Sequence, residues 1–321
     1  MQDKVILITG GCGSFGKEFV KTILLQNPKQ IRVFSRDEFK QAEMKAELND
    51  PRVEYLCGDV RDAERLNMAL EGVDVCVHAA AMKRIEKCET DPEEAIKTNI
   101  QGSINVAKAC LTNNVQNSIL LSTDKAAEPV NLYGATKMAA EKYWINANTY
   151  RGKQHPTKFS VVRYGNVVGS RGSVVPMFKK QAEEDGVIRV THRDMTRFFI
   201  TLQQAISLVQ IAVEYSQGGE VYLPALKSAS IVDLAKAVDP SAHIVYTHPV
   251  PGEKLHEQLL NRAELSRVTL EEGYTVVHPE NVTWPYLFPT IYTEMVPKTS
   301  FDSDRFSLSE LKELVSVPHA E

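Results

Sequence analysis

From Ser122 to Lys137 the chain reads Ser-Thr-Asp-Lys-Ala-Ala-Glu-Pro-Val-Asn-Leu-Tyr-Gly-Ala-Thr-Lys, which crowds a hydroxyl, a carboxyl, two amines and a phenol into one short stretch. Such groups move protons. Tyr133 and Lys137 are four apart, so on a helix they share a face and can act on one substrate atom. The preceding run Ser118-Ile119-Leu120-Leu121 is short and apolar, as a buried strand is, and the alanine-rich stretch from Ala135 favours helix. Asn131 is placed to cap that helix. A strand, a polar loop and a helix start are therefore expected to hold these groups together.

The same alternation runs through the N-terminal half. Lys4 to Thr9 is a continuous apolar run, the mark of a central parallel strand covered on both faces. Gly10, Gly13 and Gly16 follow, with Ser14 and Phe15 between them, and Lys17 to Leu25 continues as an amphipathic helix. Strand, glycine turn and helix suit a dinucleotide, because backbone N–H groups and the helix N-terminus can approach a pyrophosphate. A second strand, Ile31 to Phe34, delivers Ser35, Arg36 and Asp37 about twenty residues beyond the glycines, where the adenosine ribose would lie. Arg36 with Ser35 suits a 2'-phosphate and favours NADP; Asp37 would suit the free hydroxyl of NAD, the alternative.

A third strand, Val53 to Cys57, leads to Asp59 and Val60. Asp59 can accept from an adenine amino group or cap the helix starting near Asp62, and both readings stand. A fourth, Val73 to His78, ends in Ala79, Ala80 and Ala81, a small-residue edge for a flat cofactor; His78 reads as a satisfied core residue. Lys83 is a candidate substrate contact, whereas Arg84 and Lys87 read as solvated surface charge. A long helix from Pro92 to Asn114, strands at 119–122 and 159–164, and a helix from Tyr133 to Thr149 complete a doubly wound parallel α/β sheet with ligands at the strands' carboxyl ends. Residues 1–165 plus about 191–223 are assigned to this Rossmann-like domain, and about 166–190 plus 224–321 to a smaller lobe. Beyond about Pro279 periodicity fades, with a short helix expected at 308–315.

A chain of 321 residues is long for one core and short for three. Its net charge of -4 offers no general attraction to nucleic acid or anionic membrane. The five cysteines lack Cys-x-x-Cys spacing, which implies buried reduced thiols in a cytoplasmic protein, with no disulfide framework and no metal site. No apolar run is long enough to span a membrane.

These residues together resemble the extended short-chain dehydrogenase/reductase family: the spacing of Gly10, Gly13 and Gly16, then Asp59, Thr123, and the pair Tyr133 and Lys137. Within it, Ser-Thr-Asp-Lys-Ala followed by Pro-x-Asn-x-Tyr-Gly-Ala-Thr-Lys is similar to the UDP-N-acetylglucosamine 4,6-dehydratases, especially those that invert carbon 5. The resemblance extends to about Leu260 and includes Ala81-Met82-Lys83, Arg163 to Asn166, Gly169 to Ser173, Met195-Thr196-Arg197 and Pro251 to Glu257. One departure is Val250, where relatives usually carry an arginine that helps hold the nucleotide; Arg197, Lys254 or another base would have to replace it.

The resemblance implies NADP held by Gly10, Gly13, Ser14, Phe15, Gly16, Ser35, Arg36, Asp59, Val60, Ala79, Ala80, Ala81, Asn99, Tyr133 and Lys137. UDP-N-acetylglucosamine is then expected at Lys83, Asn166, Ser173, Val174, Arg197 and Glu257, in a homo-oligomer, dimer or hexamer. Catalysis falls to Thr123, Asp124, Lys125, Tyr133 and Lys137. Oxidation at carbon 4 acidifies the carbon 5 proton, and Tyr133, a phenol ordinarily near pKa ~10, must ionise near neutrality at a cost of about 4 kcal/mol. Lys137 and the oxidised nicotinamide are expected to favour that ionisation. Lys125 would take the carbon 5 proton and Asp124 protonate the departing 6-hydroxyl, which requires neutral lysine and protonated aspartate. Relatives that retain configuration carry glutamate where this chain has Lys125, so inversion is expected, to a UDP-2-acetamido-2,6-dideoxy-L-arabino-hex-4-ulose for surface glycan synthesis. A UDP-sugar 4-epimerase is the alternative, since it shares Tyr133 and Lys137, and a nonenzymatic dinucleotide sensor is the third reading.

Overall fold

In the computed structural model, which describes residues 1–151, 156–225, 227–290 and 299–316, a large sheet carries helices on both faces. Its first strands are β1 (Val5–Thr9), β2 (Gln30–Ser35), β3 (Val53–Cys57), β4 (Val75–His78), β5 (Asn117–Thr123) and β6 (Lys158–Tyr164). Between them run α1 (Ser14–Leu24), α2 (Glu38–Leu48), α3 (Ala63–Ala69), α4 (Ile85–Thr90), α5 (Pro92–Ile96), α6 (Gly102–Thr112) and α7 (Leu132–Asn146). The strands are parallel in the order β3-β2-β1-β4-β5-β6, so the direction of winding reverses between β1 and β4. At that switch the carboxyl ends open a crevice, and the glycine turn and Ala79–Ala81 both lie there.

The strand sequences explain the layers. Every residue of β1 is buried, and the pleat sends Leu7 to one face and Ile6 and Ile8 to the other. Leu7 joins a core with Cys76, Val106, Trp144 and Phe159; Ile6 and Ile8 join Phe19, Val20, Ile23 and Val209. The expected doubly wound sheet is thus present.

The second lobe begins with β7 (Asn166–Val167), α8 (Val174–Asp185), β8 (Val187–Val190) and β9 (Thr196–Ile200). The chain returns to the large sheet through α9 (Leu202–Tyr215) and β10 (Val221–Pro224), which lies parallel to β6. It then adds β11 (Ser228–Ser230), α10 (Ile231–Val238) and β12 (His243–Tyr246) to the lobe, where Val175, Phe178, Ile188 and Leu234 form a separate core. The helix expected at 308–315 is α11 (Leu308–Ser316), whose Leu311 and Leu314 enter that core.

Three features differ from the sequence reading. The range assigned to the second lobe contains β13 (Val268–Glu271) and β14 (Tyr274–Val277), which extend the large sheet antiparallel from β10 because Val268, Val276 and Val277 finish its two apolar faces. The helix expected from Pro92 to Asn114 is interrupted by a π-helical turn at Lys97–Gln101 that contains Asn99. All five cysteines are free, but Cys57 is exposed because β3 is the sheet edge. Among the described residues no helix is long and apolar enough to cross a membrane.

One buried ion cluster ties the sheet to the site helix. Arg163 on β6 binds Glu141 of α7 at 2.6 and 3.0 Å, Glu264 at 2.8 and 2.9 Å, and the Leu259 carbonyl at 2.8 Å. Arg163→Ala would strand two buried carboxylates, and a loss of about 3–5 kcal/mol is expected by denaturant unfolding. Glu141→Gln, which keeps the shape, should cost less.

Candidate active site

The glycine turn is shaped by close approach. Gly10 has φ +67°, and a Cβ there would meet the Ala80 backbone at 2.9 Å. Gly13 is the N-cap of α1 without a capping side chain, which leaves the first-turn amides open to an anion. Ser14 Oγ accepts from the Arg171 backbone N–H at 3.0 Å, so the loop after β7 lies against the turn. Phe15 stacks on Phe19 at 5.7 Å and anchors α1.

At the end of β2 the acid and the base separate. Asp37 caps α2, accepting from the Lys40 N–H and pairing with its amine at 2.6 Å. Arg36 is left exposed, 3.5 Å from Asp59, while Ser35 ends the strand. The helix-cap reading of Asp59 fails: Asp62 caps α3, and Asp59 accepts from the Arg61 N–H and binds its guanidinium at 2.7 and 3.0 Å. Val60 packs against Gly102 beneath this edge.

His78 is a satisfied core residue, as its place on an apolar strand suggested. The Ala80 N–H donates to Thr9 Oγ1, which lies 2.7 Å from His78 Nδ1; His78 Nε2 lies 3.0 Å from Ser103 Oγ, which donates to the Asn99 carbonyl at 2.6 Å. Only a neutral ring protonated on Nε2 satisfies this chain. Burial, with Lys137 nearby, holds His78 at about 3. Asn99, expected to touch the cofactor, instead spends its side chain on the Met82 N–H and carbonyl at 2.8 and 3.0 Å and on Thr136 Oγ1 at 3.0 Å. It positions the 80–82 edge against α7.

The stretch from Ser122 to Lys137 folds as its sequence predicts: β5, a short 3₁₀ turn at Asp124–Ala126, then α7 capped by Asn131, whose Oδ1 accepts from the Gly134 N–H at 2.8 Å. Thr123 Oγ1 donates to Asp124 Oδ1 at 3.0 Å. Lys125 Nζ donates to the same oxygen at 3.0 Å and lies 3.3 Å from Glu257 Oε1. Asp124 and Glu257 are almost fully buried. Burial alone would lower the Lys125 amine, but the two facing carboxylates outweigh it and hold the amine above its ordinary range. The ion pair therefore opposes the neutral lysine the chemistry was expected to need.

Tyr133 also departs from expectation. Burial pushes the phenol up to about 12, and the opposing cation is Lys125 rather than Lys137, helped by a hydrogen bond with Thr123. Lys137, 3% exposed, is drawn down to about 8 by burial against the pull of Glu141. The phenol needs a further positive charge to ionise near neutrality.

Arg197, expected to meet the nucleotide, is consumed inside the protein. It donates to the Thr196, Lys254 and Leu255 carbonyls at 2.8, 2.8 and 3.1 Å and pairs with Glu253 at 3.3 Å, so it holds the Pro251–Glu257 turn. Asn131 Nδ2 pins the same turn through the Gly252 carbonyl at 2.7 Å. Lys83 donates to the Arg171 carbonyl at 3.3 Å, and Arg84 and Lys87 pair with Glu86 and Asp91 at the surface. Val250, just before the turn, is 46% exposed.

Buried polar atoms that make no hydrogen bond include Ser122 Oγ, Asp124 Oδ2, Asn166 Oδ1, Ser173 Oγ, Lys254 Nζ and Glu257 Oε2, the last two 3.8 Å apart as an ion pair. Asn166 begins β7, Ser173 is the N-cap of α8 and Val174 is its first residue. Ser122 and Ser300 have no part in the sequence reading of the site, and Lys254 enters it only as a stand-in for the arginine missing at Val250. Lys254 was legible as the base of the Pro-Gly-Glu-Lys motif; Ser300, whose Oγ accepts from the Glu257 N–H at 3.0 Å, had no local signal.

The profile of a family described as polysaccharide biosynthesis protein matches residues 6–279. A Campylobacter jejuni protein named UDP-N-acetylglucosamine 4,6-dehydratase (inverting) is 48% identical over 280 residues, 86% of this chain and 83% of its own. A UDP-glucose 4-epimerase of Rickettsia bellii is 37% identical over 326 residues, 98% of this chain and 95% of its own. Among solved structures, Pen from Bacillus thuringiensis aligns with a TM-score of 0.91 at 34% identity, covering 98% of this chain and 97% of that one.

Asn131→Ala removes the α7 cap and the clasp on Gly252 together. Stability should fall by about 1–2 kcal/mol, with faster amide hydrogen exchange at Gly134 and across 252–257.

Proposed function

The chain belongs to the polysaccharide biosynthesis protein family, and from that premise we propose that it is a UDP-N-acetylglucosamine 4,6-dehydratase that inverts carbon 5. The observation that carries the proposal is the Lys125 amine, 3.0 Å from Asp124 and beside Thr123 and Tyr133 at the end of β5. Oxidation at carbon 4 alone needs the phenol and a hydroxyl donor; elimination also needs a base and an acid, and these are the extra groups. A sugar 4-epimerase has no use for them.

The crevice at the sheet's switch point fits a dinucleotide by its close glycine approach at Gly10 and the uncapped amides of α1. Exposed Arg36, with Asp37 withdrawn as a helix cap, supports NADP. Bound there, the dinucleotide supplies hydride acceptance and return, so the reaction is redox-neutral overall. Lys125 opposes the burial that holds the Tyr133 phenol at about 12, and a positive charge bound beside it would draw it further down.

The chain's own groups divide the remaining work. Tyr133 takes the carbon 4 hydroxyl proton while Thr123 holds that oxygen. Lys125 removes the carbon 5 proton, made acidic by the ketone, and the free Oδ2 of Asp124 faces the departing 6-hydroxyl. Lys137 holds the nicotinamide ribose. The amine's reach supports return of the proton on the opposite face of carbon 5, hence inversion.

The test is turnover of UDP-N-acetylglucosamine in deuterated water. A 4-keto-6-deoxy product with deuterium at carbon 5 and the L-arabino configuration is expected; a 4-epimer retaining its 6-hydroxyl would establish the epimerase instead. Lys125→Ala should keep the dinucleotide bound while dehydration falls by roughly 100-fold or more. Arg36→Ala should weaken NADP about tenfold or more and leave NAD unchanged, as read by fluorescence titration.

A further inference from the structure

We propose that Glu257 is the auxiliary proton acceptor of the site: it takes the ammonium proton of Lys125 once substrate fills the crevice, so that Lys125 meets carbon 5 as a neutral amine. This rests on the dehydratase reading and gives Glu257 a role other than nucleotide contact.

The two carboxylates that flank Lys125 are not equivalent. Asp124 Oδ1 accepts from both the Thr123 hydroxyl and Lys125, each at 3.0 Å. Glu257 faces Lys125 through Oε1 at 3.3 Å, and its Oε2 lies 3.8 Å from the Lys254 amine and accepts no hydrogen bond. Its backbone is fixed on both sides of Ser300, with the Glu257 N–H donating to Ser300 Oγ at 3.0 Å and the Ser300 N–H donating to the Glu257 carbonyl at 2.8 Å. Burial raises its carboxyl above the ordinary range even though Lys125, Arg197 and Lys254 face it. Asp124 faces it as well, and Tyr133 faces Lys125 from α7. A proton on Glu257 relieves one of the two buried negative charges.

The proton count closes. A Lys125 N–H bond breaks and an O–H bond forms on Glu257, which leaves a neutral amine and a neutral acid. The amine then takes the carbon 5 proton, and the C–H electrons pass into the enolate of the carbon 4 ketone. Lys125 passes that proton to Asp124, Asp124 gives it to the 6-oxygen, and the C–O bond breaks to release water. At that point Lys125 is neutral, Asp124 is ionised and Glu257 still holds its proton; on return of hydride to carbon 6 that proton passes through Lys125 to carbon 5, and the proton Tyr133 took from the carbon 4 hydroxyl restores the starting count.

This transfer changes no proton count with solvent, so it is independent of pH; without Glu257, neutral Lys125 has to be reached by losing a proton to water. Glu257→Gln should therefore dehydrate roughly 100-fold more slowly near neutrality, and the wild-type to variant rate ratio should shrink about tenfold for each pH unit gained. Glu257→Asp, which keeps the carboxylate, should show a ratio constant with pH, and it serves alone if the glutamine variant does not fold. A constant ratio for Glu257→Gln, a raised KM with unchanged kcat, or a ratio that shrinks for Glu257→Asp would each overturn the proposal. If wild-type protein returns only a 4-epimer, the dehydratase reading falls and this role with it; if it dehydrates and the ratio stays constant, only the role of Glu257 falls.

Discussion

The site is organised by one ammonium group held between two buried carboxylates. Taking a charge out of water costs several kcal/mol per ion, so Asp124, Lys125 and Glu257 can be buried together only because each compensates another. Arg197 and Lys254 extend the cluster on the lobe side. This arrangement also fixes where the second lobe sits: the Pro251–Glu257 turn is drawn to the end of β5 by charge and to α7 by the Asn131 clasp. The crevice is closed on one side by polar groups rather than by an apolar contact, which suits a surface that must receive a sugar.

A second, neutral network runs below the first. From the Ala80 N–H through Thr9, His78 and Ser103 to Asn99, and from Asn99 through Thr136 to the Tyr133 carbonyl, hydrogen bonds join the glycine turn, the small-residue edge and the first turn of α7. Its members are buried and satisfied, so it specifies geometry without charge. The π-helical turn at Lys97–Gln101 is what brings Asn99 into line. Arg163, with Glu141 and Glu264, fixes the following turns of the same helix.

Local signals in the sequence were read well where chemistry and secondary structure coincide. The β1 run, the glycine turn, the Asn131 cap and the Tyr133–Lys137 pair are each written within a few residues, and each forms as expected. What escaped was pairing between distant segments. Nothing near Glu257 says that it will face Lys125, and Arg197 looks like a phosphate ligand until its donors are found on the 254–255 carbonyls. Residues 281–290 and 299–307 carry no periodic pattern because much of what they do is done by single side chains, such as Trp284 on the Gly218 carbonyl and Ser300 on Glu257. Electrostatics were hardest to read: adjacency suggested that Tyr133 would be eased by Lys137, but the cation that faces it belongs to the preceding loop.

The clasp formed by Ser300 has a temporal meaning. Ser300 Oγ lies 2.7 Å from Thr196 Oγ1 and accepts from the Glu257 N–H, and the ring of His256 lies tilted at 50° against Phe301. A ribosome delivers these residues long after the parallel sheet has emerged, and N-terminal units generally fold first. The crevice at the sheet's switch point and its phenol can thus mature while Lys125 still lacks its second carboxylate. The Asp124–Lys125–Glu257 cluster is completed only when the late-arriving segment docks, so the order of translation makes this buried charge cluster the last part of the crevice to be assembled.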